Sequence, residues 1–325
     1  MKARRELVFL LFLVLLTGCK HQSTTQHALR SAYYWSTSWR NDSLVANRVK
    51  GLNKLYLRFF DVVLSREGNP IPNATLQFAA KLPHHLEVIP VVFITNDVMK
   101  SGTNGRDLAQ NILRRVLKMC ETNDILAPKE LQIDCGWTLS SRAHYYDFLT
   151  QLHHLAVKKH ITLSTTIRLH QLSQHVPPVD KGVLMMYNTG DFTDINCTHP
   201  ILDLKDVMPY LKYLKNYSLP LSPAYPLFSY RILFRNGHYK GILHADNDLP
   251  VLAGDSVVVR KATIEDVLKV KRTIEDLRPS LRDETIIYDL SPNHIINYTP
   301  KDYEEIYRAF LLPFDAILAL VCLWS

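Results

Sequence analysis

Apolar and polar residues alternate with a period of two through residues 130–138. The apolar face holds Leu131, Ile133, Cys135 and Trp137, and the polar face holds Gln132, Asp134, Gly136 and Thr138. This alternation predicts a β-strand with one apolar face and one polar face. In a barrel surrounded by helices, the apolar set would pack outward and the polar set would point towards the barrel mouth.

Strand-like and helix-like stretches alternate through the rest of the chain. Strands are predicted near residues 32–36, 54–62, 87–95, 130–138, 161–170, 183–188, 221–230 and 284–290. Helices are predicted at about 42–51, 74–82, 105–121, 140–159, 203–216, 263–278 and 301–312. Eight such units predict the α/β class and a single-domain (β/α)8 TIM barrel. No glycine-rich nucleotide-binding loop supports an open doubly wound sheet.

Two regions interrupt this pattern. Residues 236–260, after the seventh strand, are predicted to be an insertion that is long enough to form a hairpin or a flap over the mouth. The C-terminal tail is apolar from Phe310 to Trp324 but is interrupted by Pro313 and Asp315. It is short for a membrane span, so we expect a helix that caps the barrel.

The N-terminus carries an export signal. Lys2, Arg4 and Arg5 precede an apolar run that ends in Leu16-Thr17-Gly18-Cys19, which resembles a bacterial lipoprotein signal. The resemblance implies cleavage before Cys19 and a lipid on its sulfur, and the ten apolar residues are too few for a transmembrane anchor. We therefore predict a signal peptide at 1–18, a polar tether at 19–31 and the barrel domain at 32–325, lipid-anchored to a bacterial membrane in the cell envelope.

Charge and cysteine content exclude several classes of function. Removing residues 1–18 lowers the formal charge from +7 to +5, and the basic residues form no cluster, so no nucleic-acid partner is predicted. Cys120, Cys135, Cys197 and Cys322 are widely spaced and form no C-x-x-C pair. They are either disulfide partners or buried free thiols, and neither a metal site nor a cofactor is predicted.

The same alternation places charged residues inside two other strands. Along 161–170 it puts Arg168 and His170 on the inner face near the mouth, and along 54–61 it puts Tyr56, Arg58 and Phe60 inside with Asp61 at the strand end. Charges inside a barrel need partners. Arg58 and Arg168 could pair with Asp134, Asp61 or Asp289, either at a binding site or in an ion-pair network that only closes the barrel.

Two strands resemble a known family. Leu131-x-x-Asp134-x-Gly136-x-Thr138 lies where chitinase-like family 18 glycoside hydrolases carry D-x-x-D-x-D-x-E, and Met185-Met186-Tyr187-Asn188 is similar to their M-x-Y-D. Ile287-Tyr288-Asp289 is a weaker likeness to their aromatic platform. The closer resemblance is to a group of bacterial barrel lipoproteins related to those hydrolases, and it is carried by Gln132-Ile133-Asp134-Cys135, Arg168-Leu169-His170-Gln171, Pro177-Pro178-Val179-Asp180 and Tyr187-Asn188-Thr189-Gly190. It covers nearly the whole mature chain and implies no established activity.

The family's acidic residues are replaced. The resemblance implies that the terminal Glu is the proton donor, that the preceding Asp orients the substrate acetamide, and that the Tyr assists. Here Thr138 replaces that Glu, Gly136 replaces that Asp, and Asn188 replaces the Asp after Tyr187. Asp134 and Tyr187 remain as the catalytic candidates.

Three functions stay open from the sequence. The first is a carbohydrate-binding barrel that has lost hydrolysis; the second is a glycoside hydrolase with a relocated acid, such as Asp134, Asp61, Asp289 or His170; the third is an envelope interaction protein that uses the barrel as a scaffold. His170 is alternatively a hydrogen-bonded structural histidine. The predicted substrate-binding residues are Trp35, Asp61, Arg168, His170, Asn188, Tyr225 and Asp289.

Overall fold

Eight parallel strands form a closed barrel in the computed structural model, which describes residues 28–40, 42–243 and 248–308. Within these ranges the strands are β1 (Leu29–Tyr34), β2 (Ser38–Trp39), β3 (Lys54–Leu64), β4 (Pro70–Asn73), β5 (Gln77–Phe78), β6 (Glu87–Ile94), β7 (Glu130–Cys135), β8 (Thr162–Arg168), β9 (Lys181–Met185), β10 (Leu221–Pro226), β11 (Ser229–Arg235), β12 (His238–Ile242), β13 (Asp255–Lys261) and β14 (Glu284–Tyr288). The barrel order is β1, β3, β6, β7, β8, β9, β10, β14, and β1 pairs with both β3 and β14. The predicted (β/α)8 barrel is confirmed.

Helices surround the barrel. Those of the described part are α1 (Ser43–Val49), α2 (Asn96–Lys100), α3 (Gly105–Thr122), α4 (Arg142–Val157), α5 (Leu204–Val207), α6 (Leu211–Asn216), α7 (Ile264–Leu277), α8 (Pro292–Ile295) and α9 (Pro300–Tyr307). Short 3₁₀ helices cover Leu169–Ser173, Met208–Tyr210 and Pro279–Asp283. Among the described helices, none has both the length and the apolar character that a membrane crossing requires.

Several predictions concern residues outside the described ranges. The signal peptide at 1–18, the lipidated Cys19, the tether up to residue 27 and the tail from Phe310 all lie there. The first strand begins at Leu29, three residues before the predicted start of the barrel domain. Cys120, Cys135 and Cys197 are free thiols, and no group of metal-ligating side chains occurs in the described part.

The alternation along the strands separates two apolar layers. Tyr33, Tyr56 and Val91 belong to a small cluster inside the barrel. Leu131 and Ile133 belong to the large cluster between the barrel and its helices. Burial of these two layers supplies the main driving force for the fold, because each apolar side chain removed from water contributes about 1.5–3 kcal/mol.

The inward position predicted for Phe60 is wrong. The register of β3 with β6 shifts between Arg58 and Phe60, so Phe60 pairs with Val92 and joins the outer cluster. A β-bulge of this kind inserts one residue and reverses the alternation that follows. Asp61, rather than Phe60, therefore shares the inner face with Arg58.

The helix predicted at 74–82 is also wrong. This segment holds β5, and its backbone is bonded to distant residues: the Leu76 amide donates to the Phe59 carbonyl at 2.8 Å and the Gln77 amide to the Thr37 carbonyl at 2.9 Å. Leu76 is buried in the outer cluster. Long-range pairing and burial override the helical propensity of this stretch.

The insertion after the seventh barrel strand is a three-stranded antiparallel sheet, ordered β12, β11, β13. It begins at Ser229 rather than near residue 236, because the barrel strand β10 ends at Pro226. Residues 229–261 therefore form a unit that adds to the barrel without interrupting it.

A layer of paired charges closes the end of the barrel where the strands begin. Lys181 Nζ lies 2.6 Å from Glu284 Oε2, and Ser31 and Ser222 donate to the two oxygens of the same carboxylate at 2.6 and 2.8 Å. Lys54 Nζ lies 3.6 Å from Glu130 Oε2. Burial raises the pKa of Glu284, but Lys181 and Lys54 outweigh burial, and its pKa lies below the ordinary value.

We expect Glu284→Gln to destabilise the protein by about 3–5 kcal/mol at neutral pH, because it removes the nearer of the two carboxylates that pair with the Lys181 ammonium and leaves only Glu130, at 3.8 Å. Urea unfolding would measure the loss. Glu305→Gln is the matched control, because its partner Lys301 is exposed and the change should cost less than about 1 kcal/mol. The lowered pKa of Glu284 favours the charged form in the folded state, so its contribution is complete above the ordinary glutamate pKa and is lost as the pH falls through the lowered value. An equal effect of Glu284→Gln in acid and at neutral pH would contradict this account.

Candidate functional site

The carboxyl ends of the barrel strands converge on one mouth. The alternation predicted for β7 is confirmed, because Gln132 and Asp134 point inward while Leu131, Ile133, Cys135 and Trp137 pack in the outer cluster. Parallel strands in a barrel present their last inner residues at the same end. The mouth is therefore where Asp134 meets the residues of β8 and β9.

Asp134 is held by two side chains of β8. Its Oδ1 accepts hydrogen bonds from Thr166 Oγ1 at 2.6 Å and from Arg168 Nη2 at 3.1 Å. Within the described residues both bonds fall on Oδ1 and none on Oδ2. Asp134 is only 3% exposed, so its charge depends on this pairing.

Arg168 links Asp134 to Tyr187. Its Nη1 donates to the Tyr187 hydroxyl at 3.0 Å, and its guanidinium carbon lies 5.5 Å from the centre of the Tyr187 ring. Burial lowers the pKa of Arg168, but Tyr187 and Asp134 outweigh it and raise the pKa above its ordinary value, so the guanidinium stays charged. Burial raises the pKa of Tyr187 to about 12, against the opposing effect of Arg168, so the phenol keeps its proton at neutral pH.

Aromatic rings line the mouth beside this triad. Tyr187 stacks on Tyr288 with ring centres 4.9 Å apart, Tyr288 lies 5.9 Å from Trp35, and Trp35 lies 6.3 Å from Phe93. The Arg58 guanidinium carbon lies 5.2 Å from the centre of the Trp35 ring. The structure brings together Trp35 and Tyr187, which the sequence singled out, with Tyr288 of the motif that resembles an aromatic platform, and it adds Phe93. Alternation along β14 would have found Tyr288, because Ile286 faces inward two residues earlier.

An open cavity of about 420 Å³ lies beside the triad. Its lining includes the polar side chains of Thr138, Arg168, His170, Asn188 and Thr189, together with Gly136 and the ring of Tyr187. A second cavity, of about 500 Å³, shares Trp137, Thr138, His170 and Tyr210 with it. Neither cavity has an aspartate or glutamate among the described residues that line it. The surface therefore offers hydrogen-bond donors and aromatic faces but no carboxylic acid.

Gly136 and Thr138, which the sequence resemblance aligns with acids of the family 18 hydrolases, differ in their surroundings. A Cβ added at Gly136 would meet no atom within 4 Å, so the position has room for a side chain. Thr138 is tied into the loop that follows β7, because its amide donates to Ser141 Oγ at 2.9 Å and its Oγ1 lies 3.0 Å from Ser140 Oγ.

Two predicted substrate-binding residues lie elsewhere. Tyr225 is fully buried on the outer face of β10, with Lys271 Nζ of α7 5.5 Å from its ring centre, because the inner positions of that strand belong to Ser222 and Ala224. Asp289 follows the inward Tyr288 and is 1% exposed. Its oxygens accept from Ser291 Oγ at 2.5 Å and lie 2.6 Å from His294 Nδ1, so this carboxylate holds the turn before α8. Neither side chain lines the two cavities at the mouth, and contact of either with a substrate stays a prediction.

The remaining predicted site residues lie at or near the mouth. Asp61 is paired with Arg58, whose Nε donates to Asp61 Oδ1 at 2.8 Å. His170 is an exposed residue of the 3₁₀ turn after β8 and lines both cavities. Asn188 lines the first cavity, and its Oδ1 accepts from the Tyr230 hydroxyl at 3.2 Å.

The insertion forms one wall of this region. Tyr230 of β11 and Tyr239 of β12 have ring centres 6.1 and 5.8 Å from that of Phe192, in the loop after β9. Arg260 Nη2 of β13 donates to the Ile195 carbonyl of the same loop at 2.7 Å. The inserted sheet is therefore packed against the loop that carries Asn188.

No protein-family model matches the chain, and no curated protein matches it either. Solved structures do match over most of its length. The spore cortex-lytic enzyme SleL of Bacillus megaterium QM B1551 has a TM-score of 0.54 and 13% identity, with 86% of this chain and 74% of that chain covered. The GH18 chitinase ChiB of Flavobacterium johnsoniae has a TM-score of 0.51 and 13% identity, with 85% and 94% covered. The Group IV chitinase of Ostrinia furnacalis in complex with allosamidin has a TM-score of 0.51 and 10% identity, with 90% and 99% covered.

This chain has the fold of the chitinase-like family 18 glycoside hydrolases. The matches cover about 85% of this chain. In the barrel order β7 is the fourth strand and β9 the sixth, which is the order that the sequence resemblance implies for the two motifs. At this level of identity the likeness establishes the architecture, and the chemistry has to be argued from the mouth itself.

We expect Arg168→Gln to raise the pKa of His170. Burial first and the nearby Arg168 charge second lower the pKa of this imidazole, so removing the charge removes the second cause. A proton NMR titration of the imidazole, assigned with His170→Asn, would measure the shift. Arg58→Gln is the matched control, because it removes a guanidinium near the mouth that does not act on His170. An unchanged pKa in a folded Arg168→Gln protein would mean that the two side chains are not coupled.

Proposed function

We propose that this is a lipid-anchored exported protein that binds carbohydrate at the barrel mouth and lacks the hydrolytic mechanism of family 18. The observation that carries this proposal is the lining of the mouth cavity, where Gly136 and Thr138 stand at the positions of the family's acids. The polar and aromatic groups suited to a sugar are present, and the proton donor is missing.

The shape and chemistry of the mouth support a carbohydrate ligand. Sugars present apolar ring faces and many hydroxyls, and they are bound by aromatic rings next to a few fixed polar groups. Trp35 and Tyr187 supply rings, and Arg168 and Asn188 supply polar atoms. The Ostrinia furnacalis chitinase, which shares the fold, was solved in complex with allosamidin.

The groups at the mouth weigh against hydrolysis. Loss of a general acid typically lowers the rate of the catalysed reaction by a factor of about 10²–10⁴. A threonine hydroxyl cannot replace it, because it does not ionise near neutral pH. Asp134 is paired with Arg168 and Asp61 with Arg58, and Asp289 lies 2.6 Å from His294 Nδ1. The carboxylates considered as a relocated acid are therefore already held by other side chains.

The lipid anchor in this proposal rests on the sequence. Basic residues, a short apolar run and Leu16-Thr17-Gly18-Cys19 support export, cleavage and lipid attachment at Cys19. Mass spectrometry of the N-terminal peptide would test it, with Cys19→Ala as the control that should prevent maturation.

We expect calorimetry to detect binding of an oligosaccharide, with chito-oligosaccharides as the first ligands and a glycan array as the wider screen. Trp35→Ala should weaken the affinity about tenfold or more, because it removes a stacking surface. Trp35→Phe should restore part of the loss, and Tyr187→Phe should separate the ring from the hydroxyl that Arg168 contacts. Absence of binding to every glycan would remove the carbohydrate part of the proposal.

Restoring the two acids tests whether the remaining site is intact. The double variant Gly136→Asp with Thr138→Glu should release reducing ends from chito-oligosaccharides about 100-fold or more faster than the natural protein. The matched control is Gly136→Asn with Thr138→Gln, which has nearly the same shape and no acid. The room at Gly136 makes the first change sterically acceptable. A folded, ligand-binding double variant without activity would mean that the resemblance to the hydrolases is architectural only.

A further inference from the structure

Both ends of the described chain lie at the barrel end opposite the mouth. The chain enters at Leu29, the first residue of β1, and the Asn53 amide before β3 donates to the Arg30 carbonyl at 2.8 Å. The last helix returns to the same place, because the Tyr307 hydroxyl donates to the Ser31 carbonyl at 2.9 Å and Glu304 lies 2.8 Å from Arg30. The segments that precede and follow the described barrel therefore start from one face.

That face exposes apolar side chains. Leu126, in the loop before β7, is 83% exposed, and Leu29 is 36% exposed. Between them lies a cavity of about 720 Å³ whose apolar lining includes Leu82, Ile125 and Pro128. An isolated leucine on a protein surface is common, but Leu126 borders a largely apolar cavity that Leu29 also lines.

Basic side chains continue the same face. Lys129 follows the Leu126 loop, and its carbonyl accepts from the Thr162 amide at 2.8 Å, which places the turn after α4 beside it. That turn carries Lys158 and Lys159, and the nearby Val157 is 54% exposed. Among the described residues these three lysines have no carboxylate partner.

Two acidic residues near these lysines have other partners. Asp124 lies 3.5 Å from Lys81, and Asp180 accepts from the Leu163 amide at 2.8 Å and lies 2.9 Å from His153. Neither carboxylate pairs with Lys129, Lys158 or Lys159, so these three ammonium groups are available to an anionic surface. We call the surface formed by Leu29, Leu126, Lys129, Lys158 and Lys159 the basal face.

We propose that the basal face lies on the membrane that holds the Cys19 lipid, against anionic phospholipid headgroups, and that the mouth points away from the membrane. This inference rests on the lipid anchor of the proposed function. Only nine residues lie between Cys19 and Leu29, so the two Cα atoms are at most about 36 Å apart when the segment is fully extended. The short tether holds this face, with its leucines and lysines, near the headgroups that complement it.

The end of the described chain is consistent with this orientation. The described chain ends at Arg308, directly after Tyr307, whose ring centre lies 5.4 Å from the Arg30 guanidinium carbon. The segments before Leu29 and after Arg308 are thus attached to the same end of the barrel.

The test uses the full, lipidated chain in vesicles made from an equimolar mixture of brominated phosphatidylcholine and phosphatidylglycerol. Leu126→Trp places a fluorophore on the basal face, and Leu139→Trp, at a side chain that is 68% exposed, places one near the mouth. The fluorescence of the unsubstituted protein is subtracted, because it gives the emission of the native tryptophans. We expect bromine to quench the tryptophan at 126 about twofold, because the apolar face enters the headgroup boundary by about 5–10 Å, and to leave that at 139 unchanged.

Charge reversal tests the electrostatic part. Lys129→Glu, Lys158→Glu and Lys159→Glu, introduced together into the Leu126→Trp protein, should weaken docking by roughly fivefold per lysine and abolish the quenching. The matched control is the same charge reversal at Lys100, Lys205 and Lys240, which are exposed lysines towards the mouth. It should leave the quenching of the tryptophan at 126 unchanged.

The outcomes separate the two proposals. An acylated, vesicle-bound protein with no quenching at 126, or with equal quenching at 126 and 139, would overturn the orientation and leave the lipid anchor standing. A protein without a lipid on Cys19 would overturn both. Glycan binding, measured in detergent, tests only the carbohydrate part of the proposed function and not the lipid anchor or the orientation.

Discussion

The pairing of β1 with both β3 and β14 closes the barrel, and the rest of the structure depends on that closure. A closed barrel gives every strand an inner and an outer face, and any charge on an inner face must find its partner inside. Glu284 pairs with Lys181 at the end of the barrel where the strands begin, and Asp134 pairs with Arg168 at the end where they finish. The register of β7 with β8 aligns Ile133 with Thr165, which brings Asp134 level with Thr166. The floor of the mouth is therefore a consequence of strand register.

The sequence predicted those parts of the fold in which the alternation runs without a break. Along β7 the outward Ile133 and the inward Asp134 followed directly from the period of two, and the same rule placed Arg168. It failed at Phe60, because a β-bulge reverses the faces and a bulge has no reliable sequence signal. Tyr225 and Asp289 were chosen for their nearness to a strand end, although alternation puts both on outer faces. The segment 74–82 failed because its backbone bonds lead to residues that are far away in sequence.

The pairing of Asp134 with Arg168 limits the chemistry that the inner face of β7 can perform. A carboxylate that takes part in catalysis must exchange protons or stabilise a charge that develops during the reaction. Asp134 instead accepts two fixed hydrogen bonds, and Arg168 extends them to Tyr187, whose pKa of about 12 keeps it protonated. The three side chains form a rigid array of donors and acceptors. Such an array is suited to binding, because its geometry is set before the ligand arrives and little ordering cost remains.

The inserted sheet adds a part to the mouth that the barrel alone does not determine. Tyr230 and Tyr239 pack on Phe192, and Tyr230 also fixes Asn188 through its hydroxyl, so the loop after β9 is held from outside the barrel. These contacts join residues about 40 positions apart in sequence, and no periodic pattern in the sequence predicts them. The floor of the mouth follows from strand alternation, and one of its walls follows from this packing. Among the described residues, no aspartate or glutamate lines the mouth cavity, whereas the wall supplies aromatic and amide groups. In the proposed function the wall would therefore determine the selectivity for the carbohydrate.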